Sequence, residues 1–184
     1  MHTTVYFVRH AHSNYTPDEL GRPLSAKGSE DAVKITQLLK NKKIDYIISS
    51  PYKRAVQTVE GIARSKGKQI EFVDGFRERR LSDGPVEDFE LAMNRVWSNF
   101  NFSWEGGESN FAARQRGVEA LMKILDTYQG KNIVIGTHGN IMVLIMNYFN
   151  AKYDFHFWKQ LEMPDIYQLT FEQANLINVE KIWK

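Results

Sequence analysis

Short apolar segments that run directly into polar, nitrogen-bearing side chains are the feature of this sequence that most limits its possible folds. Residues 4–8 lead into Arg9 and His10, residues 46–48 lead towards Arg54, and residues 133–135 lead to His138. The segments are brief and rich in β-branched or aromatic residues, as buried strands are. A charged or imidazole side chain at the end of a buried strand is costly unless it faces a cleft or a partner. The pattern therefore predicts buried strands whose ends open into a common polar site.

Segments with the apolar spacing of helices lie between these strands, at residues 32–39 and 111–125. Strands that alternate with helices in this way favour crossover connections and a mostly parallel sheet covered on both faces. Near the C-terminus, residues 166–171 and 176–183 flank a short polar turn and predict a hairpin of antiparallel edge strands. The expected fold is thus α/β, a three-layer αβα sandwich with a mostly parallel central sheet and antiparallel C-terminal edge strands.

Composition excludes several classes of protein. The 184 residues suit one domain, and 42% apolar with 25% charged residues is ordinary globular composition. A net charge of +2 is too small to steer nucleic acid, and the absence of cysteine excludes disulfides, thiolate nucleophiles and Cys-ligated zinc. No apolar run approaches the roughly 20 residues that span a bilayer, and the first residues do not resemble a secretory signal. We expect a cytoplasmic protein with neither nucleic acid nor membrane as a partner.

An irregular stretch at about residues 79–107 interrupts the alternation of strands and helices. It contains Pro85, three glycines and several large aromatic residues. We expect a single domain over residues 1–184 in which this stretch forms a cap-like insert over one end of the sheet. Two interpretations are open for its aromatic residues, packing of the insert onto the body or contact with a substrate: Phe89, Trp97, Phe100, Phe102 and Trp104.

The segment after the second strand has the features of an anion-binding helix start. Ser50 suits the N-cap and Pro51 the first helical position, and Arg54 and Thr58 then share one helix face. Free backbone N–H groups, the positive end of the helix and a guanidinium together favour a phosphate-sized dianion.

A carboxylate that follows a strand in the same manner completes the candidate site. Glu78 comes shortly after the predicted strand at residues 70–73 and is the preferred general acid. Three other acidic residues are weaker candidates: Asp83, Glu87 and Glu108.

These motifs, in this order, resemble those of the histidine phosphatase superfamily, also called the phosphoglycerate mutase-like family. Arg9-His10-Ala11-His12-Ser13 is similar to the Arg-His-Gly-x-Thr/Ser signature of the family, and residues 49–58 match its Ser-Ser-Pro-x-x-Arg-Ala-x-Gln-Thr block. Further resemblances occur along the chain at residues 24–28, 76–78, 107–109 and 137–139.

The resemblance implies phosphoryl transfer without a metal or another cofactor on a small phosphorylated substrate. His10 would attack phosphorus and form a phosphohistidine, and Glu78 would act as the proton donor and acceptor. Arg9, Arg54 and His138 would bind the phosphate and stabilise the transition state, so that His138 counts as both catalytic and phosphate-binding.

Departures from the family pattern favour a phosphatase over a sugar-acid mutase. Ala11 and His12 stand where Gly and an acid or Gln are common, and Thr16 stands where mutase-like members tend to have Asn. His12, Ser13 and Thr16 are possible substrate contacts, although for His12 we favour packing beside the loop.

Three alternatives stay open. His10, His12 and His138 with an acid could form a metal-dependent hydrolase, although nearby guanidinium groups oppose a dication. The same fold could carry a mutase, or a protein that binds phosphorylated ligands without catalysis. Four further arginines suggest either an acidic or multiply phosphorylated substrate, or simply a solvated basic face: Arg77, Arg79, Arg80 and Arg95.

Overall fold

A computed structural model describes residues 1–84 and 86–184 of the chain; Pro85, which the sequence places in the insert, lies outside the described residues. The strands are β1 His2–Arg9, β2 Tyr46–Ser49, β3 Ile70–Phe72, β4 Asn132–Thr137, β5 Asp165–Glu172 and β6 Asn175–Lys181. The helices are α1 Ala26–Leu39, α2 Lys53–Lys66, α3 Phe89–Ser98, α4 Asn110–Thr127, α5 Gly139–Phe149 and α6 Phe155–Lys159.

The strands form one six-stranded sheet in the order β3-β2-β4-β1-β5-β6. Strands β3, β2, β4 and β1 are parallel, whereas β5 pairs antiparallel with β1 and β6 pairs antiparallel with β5. The predicted mostly parallel sheet with an antiparallel C-terminal hairpin is confirmed. Because β4 lies between β1 and β2, the ends of these three strands meet at one edge of the sheet.

Successive side chains of the central strands enter two separate hydrophobic cores. In β1, Val5 and Phe7 pack with the side chains of α4 and α5, whereas Tyr6 and Val8 pack with those of α1 and α2. This alternation is what a strand buried on both faces requires, since neighbouring residues point to opposite sides. Full burial of each large apolar side chain contributes about 1.5–3 kcal/mol. The two cores hold helices on both faces of the sheet, which gives the three predicted layers.

The start of α2 differs from the sequence prediction. The helix begins at Lys53 with Tyr52 at the N-cap position, two residues after the predicted start, and the Tyr52 side chain makes no capping bond. The prediction of Ser50 as the N-cap was therefore wrong. Its hydroxyl lies 2.8 Å from His138 Nε2, an interaction between strand ends that local sequence rules do not reveal.

The aromatic residues of the stretch at about 79–107 mostly pack onto the body of the protein. Trp97 of α3 is buried in the core, and its Nε1 donates a 3.1 Å hydrogen bond to Asn140 Oδ1. Phe100, Phe102 and Trp104 pack against the same core, whereas Phe89 is exposed. Packing is thus the role that the structure shows for most of these side chains.

Within the described part of the chain, none of the helices combines the length and the apolar character that crossing a membrane requires.

Candidate active site

The ends of β1, β4 and β2 bring the candidate residues to one edge of the sheet. The backbone N–H of His10 donates to the carbonyl of Thr137 at 2.9 Å, and that of Ser50 donates to the carbonyl of Gly136 at 2.8 Å. His138 follows Thr137 directly and occupies the N-cap position of α5. Sheet pairing thus continues one residue beyond each strand and fixes where His10, Ser50 and His138 lie.

The His10 ring is held in one orientation and kept neutral. Its Nδ1 lies 2.8 Å from the Ala11 carbonyl, which can only accept a hydrogen bond, so Nδ1 carries the proton. Nε2 therefore has a free lone pair, which accepts a 3.3 Å hydrogen bond from Arg54 Nε. Burial lowers the pKa of His10 to about 3. The hydrogen bond to the Ala11 carbonyl raises this pKa, whereas the charges of Arg54 and Arg9 lower it further. A neutral imidazole whose Nε2 carries no proton is the form that a nucleophile needs.

His138 lies against His10 and is completely buried. The two ring centroids are 5.2 Å apart in an edge-to-face arrangement. Burial, followed by the repulsion that two protonated rings would exert on each other and by the nearby arginines, lowers the pKa of His138 well below its usual value. Its Nδ1 is buried and has no hydrogen-bond partner among the described residues. His138 therefore has a buried polar atom that an additional ligand could satisfy.

Arg54 is buried against His10 and fixed through Thr58. The Thr58 hydroxyl donates to the Arg54 carbonyl at 2.7 Å and accepts from the Ala11 N–H at 3.0 Å. These bonds join the first turn of α2 to the loop that follows β1. Burial lowers the pKa of Arg54, although the charges of Glu19 and Glu78 oppose this. Arg54 and Thr58 thus lie on one face of α2 and are joined by a hydrogen bond, in agreement with the predicted i, i+4 spacing.

Arg9 reaches the site from the end of β1 and is anchored from the C-terminal half of the chain. Its Nη1 donates to the carbonyls of Leu161 and Glu162 at 3.2 and 3.0 Å. Its Nε is buried without a partner among the described residues. Burial lowers the pKa of Arg9, and the charges of Glu78 and Asp165 act in the opposite direction.

Glu78 caps the helix that begins beside His138. Its Oε1 accepts from the backbone N–H groups of Ile141 at 2.9 Å and Arg79 at 2.8 Å, and its Oε2 accepts from Asn140 N–H at 3.0 Å. The carboxylate thus lies at the N-terminus of α5, where free N–H groups favour a negative charge. Its negative charge opposes the lowering of the pKa of both Arg9 and Arg54.

The alternative acids are engaged elsewhere. Glu108 accepts from Arg116 Nε and Nη2, both at 2.9 Å, and pairs with Arg77 at 3.2 Å. Burial raises the pKa of Glu108, but Arg116 and Arg77 outweigh burial and lower it overall. Asp83 pairs with Arg80, and Glu87 lines a separate cavity of about 510 Å³ in the insert.

The four further arginines of the sequence prediction are mostly bound within the fold. Arg77 and Arg80 pair with carboxylates, and the Arg95 guanidinium lies 4.2 Å above the Phe102 ring. Arg79 is buried, with its Nη2 3.0 Å from Met93 Sδ. Arg80 and Arg95 are exposed to solvent, so the solvated interpretation fits these two, whereas Arg77 is partly buried and Arg79 is buried.

The three possible substrate contacts after His10 bond within their own loop or to α1. His12 Nδ1 lies 2.8 Å from the hydroxyl of Ser25, which also caps α1, so His12 packs beside the loop as favoured. Ser13 forms a bridge with Leu24, and the Thr16 hydroxyl donates to the Asp18 carbonyl at 3.0 Å. A role of these residues in substrate binding stays a prediction.

Sequence reasoning missed two residues that contact the site. The Tyr52 ring lies 5.0 Å from the His138 ring, and the Arg54 guanidinium lies 5.0 Å from the Tyr52 ring centre. Glu19 binds Arg54 through both its carboxylate and its carbonyl. Tyr52 lies inside the block at residues 49–58, which was a usable signal, whereas Glu19 lies in a loop without any pattern.

The arrangement as a whole favours an anion. In residues 1–84 and 86–184 no three His, Asp or Glu side chains converge as a metal-binding group. Arg54 is bonded to His10, the His10 and His138 rings are in contact, and Glu78 is bonded to the backbone just after His138. Such a set fits phosphate, whose oxygens accept hydrogen bonds from guanidinium forks. The fold and the site together define an α/β protein with a paired-histidine, phosphate-type site.

Comparison with known proteins identifies the family. The model of the histidine phosphatase superfamily (branch 1) matches residues 5–176, and the chain belongs to this superfamily. Phosphoglycerate mutase-like protein 4 of Arabidopsis thaliana is 29% identical over 154 residues, which cover 75% of this chain and 67% of that protein. The probable phosphoglycerate mutase GpmB of Salmonella typhi is 30% identical over 150 residues, which cover 73% of this chain and 69% of that protein.

Solved structures share the fold at low sequence identity. A mycobacterial glucosyl-3-phosphoglycerate phosphatase superposes with a TM-score of 0.79 at 17% identity, with coverage of 98% of this chain and 97% of that chain. YhfR of Bacillus stearothermophilus gives a TM-score of 0.78 at 23% identity, with coverage of 95% and 94%. Relatives and neighbours thus include proteins named as phosphatases and as mutases, and the class of chemistry they share is phosphoryl transfer.

Proposed function

We propose that this protein is a metal-independent phosphatase that hydrolyses small phosphomonoesters through a phosphohistidine on His10. The observation that carries the proposal is the state of His10: a buried neutral ring whose Nδ1–H is held by the Ala11 carbonyl and whose Nε2 lone pair faces the Arg54 guanidinium. An imidazole fixed in this tautomer beside a cation is arranged for attack on an anionic phosphorus centre.

In the first step, His10 Nε2 attacks phosphorus in line and the bond from phosphorus to the leaving oxygen breaks. Glu78, in its protonated form, gives its proton to that oxygen. Arg9, Arg54 and His138 stabilise the charge on the three equatorial oxygens. The partnerless Arg9 Nε and His138 Nδ1 support these roles, because bound phosphate would supply the missing acceptor or donor.

In the second step, water attacks the phosphohistidine, Glu78 takes a proton from that water, and the bond between nitrogen and phosphorus breaks. Free phosphate leaves and Glu78 is protonated again, so the cycle closes without a cofactor. The N–H groups of Asn140 and Ile141 hold the Glu78 carboxyl group in place in both steps.

Hydrolysis is favoured over mutase chemistry by the residues after His10. Ala11, His12 and Thr16 depart from the mutase-like pattern, and solved neighbours include a phosphatase for glucosyl-3-phosphoglycerate and a phosphoserine phosphatase of Entamoeba histolytica. The curated relatives are named as mutases or mutase-like proteins, which makes transfer within a phosphoglycerate the second candidate.

Trapping the intermediate tests the proposal. The wild-type protein, quenched soon after mixing with a phosphomonoester labelled in its phosphoryl group, should carry label in an acid-labile adduct on His10 and release free phosphate. The His10→Asn variant should show neither adduct nor turnover. Glu78→Gln should slow turnover by about 10²- to 10⁴-fold, the usual contribution of a general acid.

His156→Asn is the matched control, because it makes the same substitution at an exposed histidine of α6. The His156 ring is hydrogen-bonded to Gln160. It should keep both the adduct and the wild-type rate. Equal turnover by wild type and His10→Asn would refute the proposal. Conversion of 3-phosphoglycerate to 2-phosphoglycerate without release of phosphate would establish the mutase instead.

A further inference from the structure

Glu19 occupies the phosphate-binding groups of Arg54 in the structure. Its Oε2 accepts from Arg54 Nη2 at 3.1 Å, and its backbone carbonyl accepts from Arg54 Nη1 at 2.8 Å. Arg54 Nε is bonded to His10 Nε2. Each of the three guanidinium nitrogens therefore already has a partner, and only 3% of the Arg54 side chain is exposed.

An incoming phosphoryl group needs the same donors. Carboxylate and phosphate oxygens accept hydrogen bonds from a guanidinium in the same geometry, so they compete for Arg54 Nη2. The bond from Arg54 Nε to His10 Nε2 also occupies the lone pair with which His10 would attack. A phosphate that reaches His10 must therefore draw Arg54 away from both partners.

The Glu19 side chain can leave without unfolding its loop. Its side chain is 54% exposed, and the loop backbone is also held by bonds that do not involve Arg54. Ser13 pairs with Leu24 at the base of the loop, and the Lys53 N–H donates to the Leu20 carbonyl at 2.9 Å. Arg22 also pairs with the Glu19 carboxylate and offers it a second cation at the mouth of the site.

We propose that Glu19 is an internal competitor of the substrate's phosphoryl group. Its carboxylate satisfies Arg54 while the site is empty, the phosphoryl group displaces it, and the strength of this contact sets the affinity for phosphomonoesters. This inference rests on the proposed function, since it assigns Arg54 to phosphate binding.

Binding of inorganic phosphate to the Glu19→Gln variant tests the inference. Gln keeps the size of the side chain and removes its charge, so the dissociation constant, measured by calorimetry, should fall by about twofold to fivefold, the usual range for a partly exposed ion pair. The KM for p-nitrophenyl phosphate should fall in parallel with little change in kcat.

Asp18→Asn is the matched control. It makes the same change of charge at the neighbouring position, and an amide oxygen can still accept the 3.0 Å hydrogen bond from the Gly21 N–H. This variant should bind phosphate as wild type does. An equal gain in both variants would show a general charge effect and overturn the inference.

Weaker or unchanged phosphate binding by Glu19→Gln would also overturn it, because Glu19 would then position Arg54 or leave it unaffected. The readout is separate from that of the proposed function. If the protein shows no turnover but Glu19→Gln binds phosphate more tightly than wild type, the phosphatase proposal is refuted. The inference that Glu19 competes with phosphate for Arg54 would still hold.

Discussion

Neutral histidines surrounded by arginines are the unusual residues of this protein. His10 and His138 are both buried, and their pKa values lie below the ordinary value of 6.5. Two cations close by would repel a protonated ring, and burial penalises the charged form further. The physical result is a pair of imidazoles that stay neutral through the whole physiological pH range, beside guanidinium groups that stay charged.

This state predicts a loss of stability in acid. With a folded pKa of about 3 and an unfolded pKa near 6.5, the unfolded chain binds more protons at His10 between these values. The free energy of unfolding is therefore highest above pH 6.5 and falls as the pH decreases towards 3, by up to about 1.4 kcal/mol per pH unit for each such histidine.

Urea denaturation of wild type and His10→Asn at pH 7 and pH 5 measures this contribution. The fall in the free energy of unfolding should be smaller in His10→Asn, because one of the buried neutral rings is gone. His156→Asn, which removes an exposed histidine, should behave as wild type. The same pH dependence in all three proteins would mean that burial does not keep His10 neutral.

The sequence predicted that Arg9, His10, Arg54, Glu78 and His138 would meet, and the structure places them together. Each follows the end of a strand, so the topology of a parallel sheet is enough to bring them to one edge. Their catalytic roles remain predictions. Glu19 and Tyr52 could not be found in this way, because their contacts depend on where side chains point across a loop and a helix start.

The junction between β4 and α5 is the element that combines packing with the site. His138 ends the strand, Gly139 opens the helix, and Glu78 caps its first turn. A Cβ at position 139 would lie 2.8 Å from Arg9 Nε and 2.9 Å from Arg9 Cζ. Glycine is therefore needed here because the Arg9 guanidinium approaches so closely. The backbone φ of Gly139 is not in the left-handed region and would not by itself require glycine.

Gly139→Ala should lower activity more than stability. The group that must move is the end of the flexible Arg9 side chain, so the fold can adjust while the guanidinium leaves its position. We expect a fall in kcat/KM on the order of tenfold to a hundredfold, the usual cost of a misplaced catalytic group. The melting temperature should change little.

Gly84→Ala is the control for this prediction, because a Cβ there would meet no atom within 4 Å among the described residues beyond its chain neighbours. It should leave both quantities unchanged. An active Gly139→Ala enzyme would show that the position of Arg9 does not limit the reaction.

Strands and helices were predictable to different degrees. The apolar periodicity located β1, β2, β3, β4 and the C-terminal hairpin, with ends at most two residues from those observed. It missed the first half of α1, which is mostly polar, and it placed the start of α2 two residues early. It also missed α3, which lies within the stretch that the sequence presents as irregular. Caps and helix ends depend on tertiary partners such as His138, which a local pattern does not include.

Across the whole molecule, the two ends of the chain build the Arg9 position together. Asp165 has no exposed surface; its Oδ2 accepts from the Glu162 N–H at 3.1 Å and its Oδ1 from the Ile166 N–H at 3.0 Å. The loop that it holds supplies the two carbonyls that bind Arg9 Nη1. Burial raises the pKa of Asp165, against the effect of the Glu162 N–H and Lys181. The C-terminal hairpin thus shapes a site formed by N-terminal residues.

Asp165→Asn should weaken this support. Its amide nitrogen cannot accept a hydrogen bond, so one backbone N–H is left without a partner, at a cost of about 1–3 kcal/mol in the free energy of unfolding. The KM for p-nitrophenyl phosphate should rise on the order of tenfold as Arg9 loses its fixed position. Glu172→Gln, an exposed change on the same strand, should alter neither value. Loss of stability without any change in KM would confine Asp165 to a structural role.

The order of strands, helices and polar strand ends was determined by the sequence alone, because apolar periodicity and polar residues at the ends of buried strands are local properties. These were sufficient to predict the sandwich and the group of residues at its edge. Only the tertiary structure decided which nitrogen of His10 is free, that Glu78 caps α5, that Glu19 binds Arg54 and that Asp165 supports Arg9. Each of these depends on distances between residues far apart in the chain, and such distances exist only once the sheet has assembled.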